Sequence, residues 1–287
     1  MRVGPVQCCS AGFALWLACS AQGVGAQELV EQAAEPAALP TAGTTEVPKP
    51  IRPAFEGALG PVVSWSREGD GVQTKPGFYL RYKRLSVSNT SSFAVRRNDD
   101  VFRGLGLDVV NNSKVKFNLG LRLDRGGRIT DLPSLAGQDE VQSTVRLRAS
   151  ATYRFDPRWS VGAGWTADIL GHGGGQVADI GVSREQALGP RLHWTVSTGV
   201  SAANSRFQRS YFGINASQSA ASGLPVYSPS SGLLNASVST SVRTEINPRW
   251  VAFGSVSAVR RMGPQLDSPL VTWSTNWGLS AGIARRF

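Results

Sequence analysis

The feature that most constrains this chain is alternation with a period of two residues, sustained over long stretches. In residues 233–246, Leu234, Ala236, Val238, Val242 and Ile246 share one face, against Asn235, Ser237, Ser239, Ser241, Arg243 and Glu245 on the other. Residues 141–155 repeat the pattern. Val141, Val145, Leu147, Ala149, Ala151, Tyr153 and Phe155 alternate with Gln142, Thr144, Arg146, Arg148, Ser150, Thr152 and Arg154, and Ser143 is the one exception. Residues 114–124 do so again, with Val115, Phe117, Leu119, Leu121 and Leu123 against Lys114, Lys116, Asn118, Arg122 and Asp124. Successive side chains of a strand point to opposite faces, so each stretch is a strand with one apolar and one polar side. Strands of soluble sandwiches usually run about five or six residues. Longer ones with this split suit lipid outside and a polar lumen inside.

Beyond the N-terminal leader no run of apolar residues approaches the roughly 20 that a membrane helix needs. A closed barrel is the other structure that satisfies every backbone polar group in hydrocarbon. Strands are expected at 55–66, 77–85, 92–97, 102–110, 114–124, 141–155, 158–170, 176–187, 190–203, 232–246, 249–262 and 272–287. The chain is therefore read as all-β, a transmembrane antiparallel β-barrel of about 12 strands over residues 54–287. Asn111-Asn112-Ser113, Asp156-Pro157, Leu188-Gly189 and Asn247-Pro248 have tight-turn chemistry. Segments 67–76, 125–140, 171–175, 204–231 and 263–271 are long connections, and the two kinds alternate as in outer-membrane barrels with short periplasmic turns.

Residues 1–26 read as a secretory signal peptide. Arg2 gives the positive start, Gly12 to Ala18 the apolar core, and Val24-Gly25-Ala26 the small residues before cleavage at Gln27. Cleavage removes Cys8, Cys9 and Cys19, the chain's three cysteines, and with them any disulfide or thiolate metal site. Residues 27–53 are rich in Ala, Pro, Glu and Thr and are expected to be a flexible periplasmic segment. The formal charge is +10. Export argues against a nucleic-acid partner, so outer-membrane lipid and lipopolysaccharide, acidic glycans or acidic proteins are the expected counterparts.

Phe155-Asp156-Pro157-Arg158-Trp159 recurs as Ile246-Asn247-Pro248-Arg249-Trp250, with a looser Gly189-Pro190-Arg191-Leu192-His193-Trp194 between. Each places a Trp just past a tight turn, so Trp159, Trp194 and Trp250 are expected in an interfacial belt. Lys116, Arg122, Arg146, Arg148, Arg154 and Arg243 fall on the polar faces and point into the lumen. There they line an anion-preferring pore or pair with Asp108, Asp124 and Glu245 in a plug of ion pairs. A barrel of this size is mostly filled by side chains. The connection 204–231 is too apolar for a solvated loop. It is expected to fold over or into the barrel mouth on Tyr211 and Phe212, with a short helix stopped by Gly223 ahead of Pro225 and Tyr227.

Catalysis is not expected. His172 and His193 fall at opposite ends of the topology, so no Ser–His–carboxylate set forms. Gly171-His172-Gly173-Gly174-Gly175 lacks the Lys-Ser or Lys-Thr of a phosphate loop. No cluster of ligands implies a metal or other cofactor.

Three stretches in the same order carry a resemblance: Gly171-His172-Gly173-Gly174 leading to Val177-Ala178-Asp179-Ile180-Gly181; Tyr211-Phe212-Gly213-Ile214 with Ser222-Gly223-Leu224-Pro225-Val226-Tyr227; and Asp267-Ser268-Pro269-Leu270-Val271. With these the chain resembles the MipA/OmpV family, the MltA-interacting proteins of the outer membrane, over about residues 100 to 287. The family's acidic, Tyr-containing first-loop motif finds no good copy near 67–77. The resemblance implies a scaffold that brings a lytic transglycosylase together with a peptidoglycan synthase in murein remodelling. Other members are described as small porins or surface adhesins. Phe287 on an amphipathic last strand resembles the signal read by the barrel assembly machinery, from which Arg285 departs.

Overall fold

A computed structural model describes residues 55–67, 71–90, 103–124, 126 and 141–287. The leader, segment 27–53 and the strand expected at 92–97 lie outside the described residues. Twelve strands are formed: β1 (Phe55–Ser66), β2 (Val72–Tyr82), β3 (Leu85–Ser88), β4 (Gly104–Asn111), β5 (Val115–Asp124), β6 (Thr144–Arg154), β7 (Trp159–Asp168), β8 (Gln176–Ala187), β9 (Leu192–Ala203), β10 (Gly232–Asn247), β11 (Trp250–Arg261) and β12 (Thr275–Arg286). Each pairs with its sequence neighbours, and β12 pairs with β1, so the sheet closes on itself as an up-and-down antiparallel barrel. At the seam the Gly57 N–H donates to the Phe287 carbonyl (2.9 Å), and the Phe287 N–H donates back (3.0 Å). Among the described residues no helix is long and apolar enough to cross a membrane.

Alternation sorts the faces. Leu59, Val63, Leu105, Leu121, Ile180, Val200, Val238, Val242, Leu279 and Ile283 are exposed on the outer wall, while Arg122, Arg146, Ser183, Ser197 and Ser237 are buried inside. So large an apolar exterior is far beyond what a soluble monomer presents. Connections of two lengths segregate. The turns after β2, β4, β6, β8 and β10 are short and share one end with Phe55 and Phe287, and the connections after β1, β3, β5, β7, β9 and β11 are at the other.

Two strands depart from expectation. Because the chain reverses at Lys83-Arg84, the third strand in order is Leu85–Ser88, part of which was expected to end β2. Lys83 takes φ 53° with no Gly, Asn or Pro to announce it, so the turn was invisible to turn chemistry. Strand β2 begins at Val72 rather than 77 and runs through Pro76, which lies opposite Pro61 of β1. Pro76 is tolerated because its missing donor faces away from β1. On that side the Asn89 amide stands in for a strand, donating to the Pro76 carbonyl (2.7 Å) and accepting from the Phe78 N–H (2.7 Å).

Leu234 is a third correction. A register shift between Leu233 and Asn235 turns it inward, where it is 1% exposed, while Leu233 takes the outer face.

Candidate functional site: a capped polar lumen

The lumen has two unlike walls. On β5–β8 it is charged. Arg148 forks onto Asp179, Nη1 to Oδ1 at 2.7 Å and Nη2 to Oδ2 at 2.9 Å, and Nη1 also donates to the Thr166 hydroxyl (3.0 Å). Gly164 makes room, since a Cβ there would fall 2.3 Å from Arg148 Nη2. Arg146 donates from Nε to Asp124 and from Nη2 to the Tyr211 hydroxyl (2.7 Å), and its guanidinium lies near the Phe207 and Tyr211 rings. Toward the short-turn end Arg81 bonds Asp108, and Arg286 meets Glu245 at 3.1 Å. His193 Nδ1 lies 3.1 Å from Glu185 Oε1, both buried. From β9 round to β12 the middle of the wall is small hydroxyls: Ser197, Ser201, Ser237, Ser239, Ser255 and Ser280. Toward the short-turn end it carries His193, Arg243, Glu245 and Arg286 and the apolar Val251 and Phe253. Ser201 donates to Asn235 Oδ1 (2.8 Å), and Ser255 and Ser280 share a hydrogen bond (2.7 Å).

All six sequence-predicted basic residues belong to this interior. Lys116, Arg122, Arg146 and Arg148 are buried and Arg154 and Arg243 half-buried. Asp124 pairs with a member of that set. Asp108 meets Arg81 and Glu245 meets Arg286, two further inward arginines that the alternation marks.

The connection between β9 and β10 packs across the long-loop mouth. It holds two helices, α1 (Ser205–Phe212) and α2 (Ala216–Ser222). Asn204 caps α1 by accepting from the Phe207 N–H (2.9 Å), and its Oδ1 also accepts from Gln176 N (3.1 Å), which ties the helix start to β8. Phe207, Tyr211 and Phe212 are at most 1% exposed and pack with Val141, Val177, Ala203 and Leu234. Burial of three such rings supplies the apolar gain that holds a connection this long in one place. Burial pushes the Tyr211 pKa above its ordinary value, although the neighbouring Arg146 charge pulls the other way.

Helix α2 carries a reciprocal capping box between Asn215 and Gln218 and ends at Gly223, whose φ of 72° is left-handed. Pro225 is exposed beyond it, and so is Val226, which contributes nothing to the apolar filling. Tyr227 donates to the Pro264 carbonyl and exchanges backbone bonds with Ile214, bringing a short 3-10 turn (Gly263–Asp267) against the cap. Ser268 donates to the Phe212 carbonyl (2.6 Å), which fastens the cap to the last long connection.

The glycine loop 171–175 serves this cap. Gly175 has φ 61°, and a Cβ there would stand 2.4 Å from the Phe207 nitrogen, so only glycine lets α1 sit down on β8. Asp168 gathers the loop by accepting from the N–H groups of Leu170 (3.1 Å), Gly171 (3.0 Å) and Gly174 (2.8 Å). His172 contacts the Ser143 carbonyl (2.7 Å) from there, and His193 lies toward the opposite end.

Trp159 and Trp250 open β7 and β11 on the outer face at the short-turn end. Trp194 lies on the same face and donates to Thr240 (2.7 Å). A second group, Trp65, Trp165 and Trp277, is exposed toward the long-loop end; a sequence scan for Trp at the ends of outward-facing alternation finds it. Phe287 is exposed, with Phe55 6.1 Å away.

An apolar exterior between Trp clusters, a polar interior and a closed strand ladder define an outer-membrane β-barrel protein, here with its lumen capped at one mouth. The chain belongs to the MltA-interacting protein MipA family, whose sequence pattern it matches over residues 56–287. Comparison with curated proteins gives no match. Solved structures it is similar to include the NanC porin (7% identity, 79% of this chain and 98% of that one, TM-score 0.44). OmpT of Vibrio cholerae is similar at 7% identity, covering 85% and 100%, with TM-score 0.37. The CymD monoaromatic hydrocarbon channel is similar at 10% identity, covering 82% and 88%, with TM-score 0.36. At such identities nothing about solutes carries over to this chain.

Proposed function

We propose that this protein is a non-catalytic scaffold of the outer membrane, delivered by a cleaved leader at 1–26, that holds a lytic transglycosylase beside a peptidoglycan synthase. The observation that carries the reading is the cap packed into the long-loop mouth. With α1 seated in one mouth and Arg146 and Arg148 held by Asp124 and Asp179, the surfaces free to act are the two ends. The family's description as MltA-interacting supports a transglycosylase as the first partner. Affinity capture of periplasmic proteins on the purified barrel tests it. Specific retention of a lytic transglycosylase is expected, and retention no better than on an unrelated barrel would sink the reading.

A second reading, a narrow anion-preferring pore, is favoured by the stacked Arg122, Arg146 and Arg148. Planar bilayers separate the two. The scaffold predicts almost no conductance, whereas steady anion-selective steps that vanish in Arg146→Gln and Arg148→Gln would establish the pore.

A further inference from the structure

The short-turn end is charged in one sense. Lys83 and Arg84, Lys114, Arg158, Arg191 and Arg249 put at least one exposed cation on every one of its turns. Arg184 and Arg285 extend the ring over the outer face, Arg184 lying 5.7 Å above the Trp159 ring. The turns carry one exposed acid, Asp156, and its Oδ1 is occupied by the Arg158 N–H (2.9 Å). Asp108, Glu185 and Glu245 lie near this end but point into the lumen and meet partners there. Among the described residues none of the rim cations is in an ion pair. Like charges held around one ring repel one another, so a polyanion laid across them is favoured.

The chain itself brings such a polyanion to this end. Strand β1 starts at Phe55, opposite Tyr82 and next to the Lys83-Arg84 turn, so the preceding residues emerge at the rim. Residues 27–46 contain Glu28, Glu31, Glu35 and Glu46 and no Lys or Arg. Extended chain covers up to about 3.3–3.6 Å per residue, so these glutamates reach every turn of the ring. Each exposed pair is weak and salt-sensitive. A tether raises the local concentration to roughly millimolar, and several weak pairs then act together.

We propose that the short-turn rim is an anion-docking surface whose resident occupant is the chain's own acidic segment, residues 27–46. An acidic partner protein must displace that segment to bind, so the segment sets the affinity of the rim. The inference stands on the placement of charge and not on the scaffold reading, which fails or holds by its own capture experiment.

The test uses the protein from outer membranes in phosphatidylcholine nanodiscs, with Cys8, Cys9 and Cys19 removed with the leader or replaced by Ser. Spin labels at Ala34→Cys and Ser113→Cys report the distance from segment to rim. A short component is expected at low salt. It should vanish at about 0.5 M salt, where screening reaches only a few ångströms. It should also vanish when the four glutamates become Gln, and in Arg158→Gln/Arg191→Gln/Arg249→Gln, whose heat-modifiable migration reports an intact barrel. A fluorescent decaglutamate peptide should bind roughly tenfold more tightly once the four glutamates are Gln, because the internal competitor is gone. Distances indifferent to salt and to both sets of substitutions would overturn the proposal. Decaglutamate binding unchanged by the Glu→Gln set would overturn it equally.

Discussion

The two walls of the lumen solve the same problem differently. Both must carry polar side chains on a surface shut off from lipid. The β5–β8 wall does it with long cations and carboxylates that bond one another and, through Arg146, the cap. The wall from β9 to β12 keeps its charges near its ends and fills its middle with hydroxyls that reach only their neighbours, as Ser255 and Ser280 do. A charge removed from water is tolerated only while its partner is present, whereas a serine gives up little. The charged wall therefore supplies the cap's polar anchor, and the serine stretch supplies room.

That asymmetry can be broken by substitution. Asp124→Ala should have the largest effect. It strands Arg146, 1% exposed, without its carboxylate, at a cost of about 3–5 kcal/mol. Urea titration of the barrel in micelles, followed by gel mobility, measures it, and a loss no larger than that of a serine variant would remove the distinction between the walls. Val238→Arg tests inside against outside on the small-residue side. Charge on the lipid face near mid-bilayer costs roughly 2–4 kcal/mol and should deplete assembled protein in the outer membrane. Normal assembly would mean that the faces are inverted.

Tyr211→Phe keeps the ring and deletes the bond to Arg146, so the cap should lose about 1.5–3 kcal/mol while the barrel persists. Hydrogen exchange in α1 should quicken without change in the strands. The same hydroxyl gives a pH dependence. An undocked tyrosine ionises near pH 10, and the buried one resists. Below that pH both forms hold the proton and the cap keeps its full stability. Above it the undocked form gains by ionising, so cap protection should fall as pH rises, and should not do so in Tyr211→Phe. Ser255→Ala, the mildest change, should cost about 0.5–1.5 kcal/mol, measured in the same titration as Asp124→Ala.

Where the physics is local the sequence was readable. Alternation over 114–124 and 141–155 located β5 and β6 because the side chains of β5, and those from Thr144 on, declare their faces, while Val141, ahead of β6, is buried beneath the cap. Asn-Pro and Asp-Pro marked two turns by their own chemistry. Gly223 marked the end of α2, since a left-handed residue is wanted there. What escaped depends on distant partners. Leu234 obeys the outward parity, and the shift that turns it inward is settled by its packing beneath α1. Helix α1 itself, Ser-Arg-Phe-Gln-Arg-Ser-Tyr-Phe, carries no strong helix signal apart from its Asn204 cap, and its place depends on a glycine across the mouth. The glycine loop lacks the Lys-Ser or Lys-Thr of a phosphate loop, but its use is legible only from what approaches Gly175.

The cap has a temporal consequence. It is threaded between β9 and β10, yet its anchor Tyr211 reaches Arg146 on β6, which is bonded to Asp124 on β5. Those attachment points are brought together only when the distant hairpins already stand side by side. Docking of α1 therefore follows the pairing of β5 through β10, and burial of Tyr211 marks that this half of the cylinder stands. A chain stalled half-way would carry Phe207, Tyr211 and Phe212 in water, an apolar segment of the kind that periplasmic chaperones and proteases meet first.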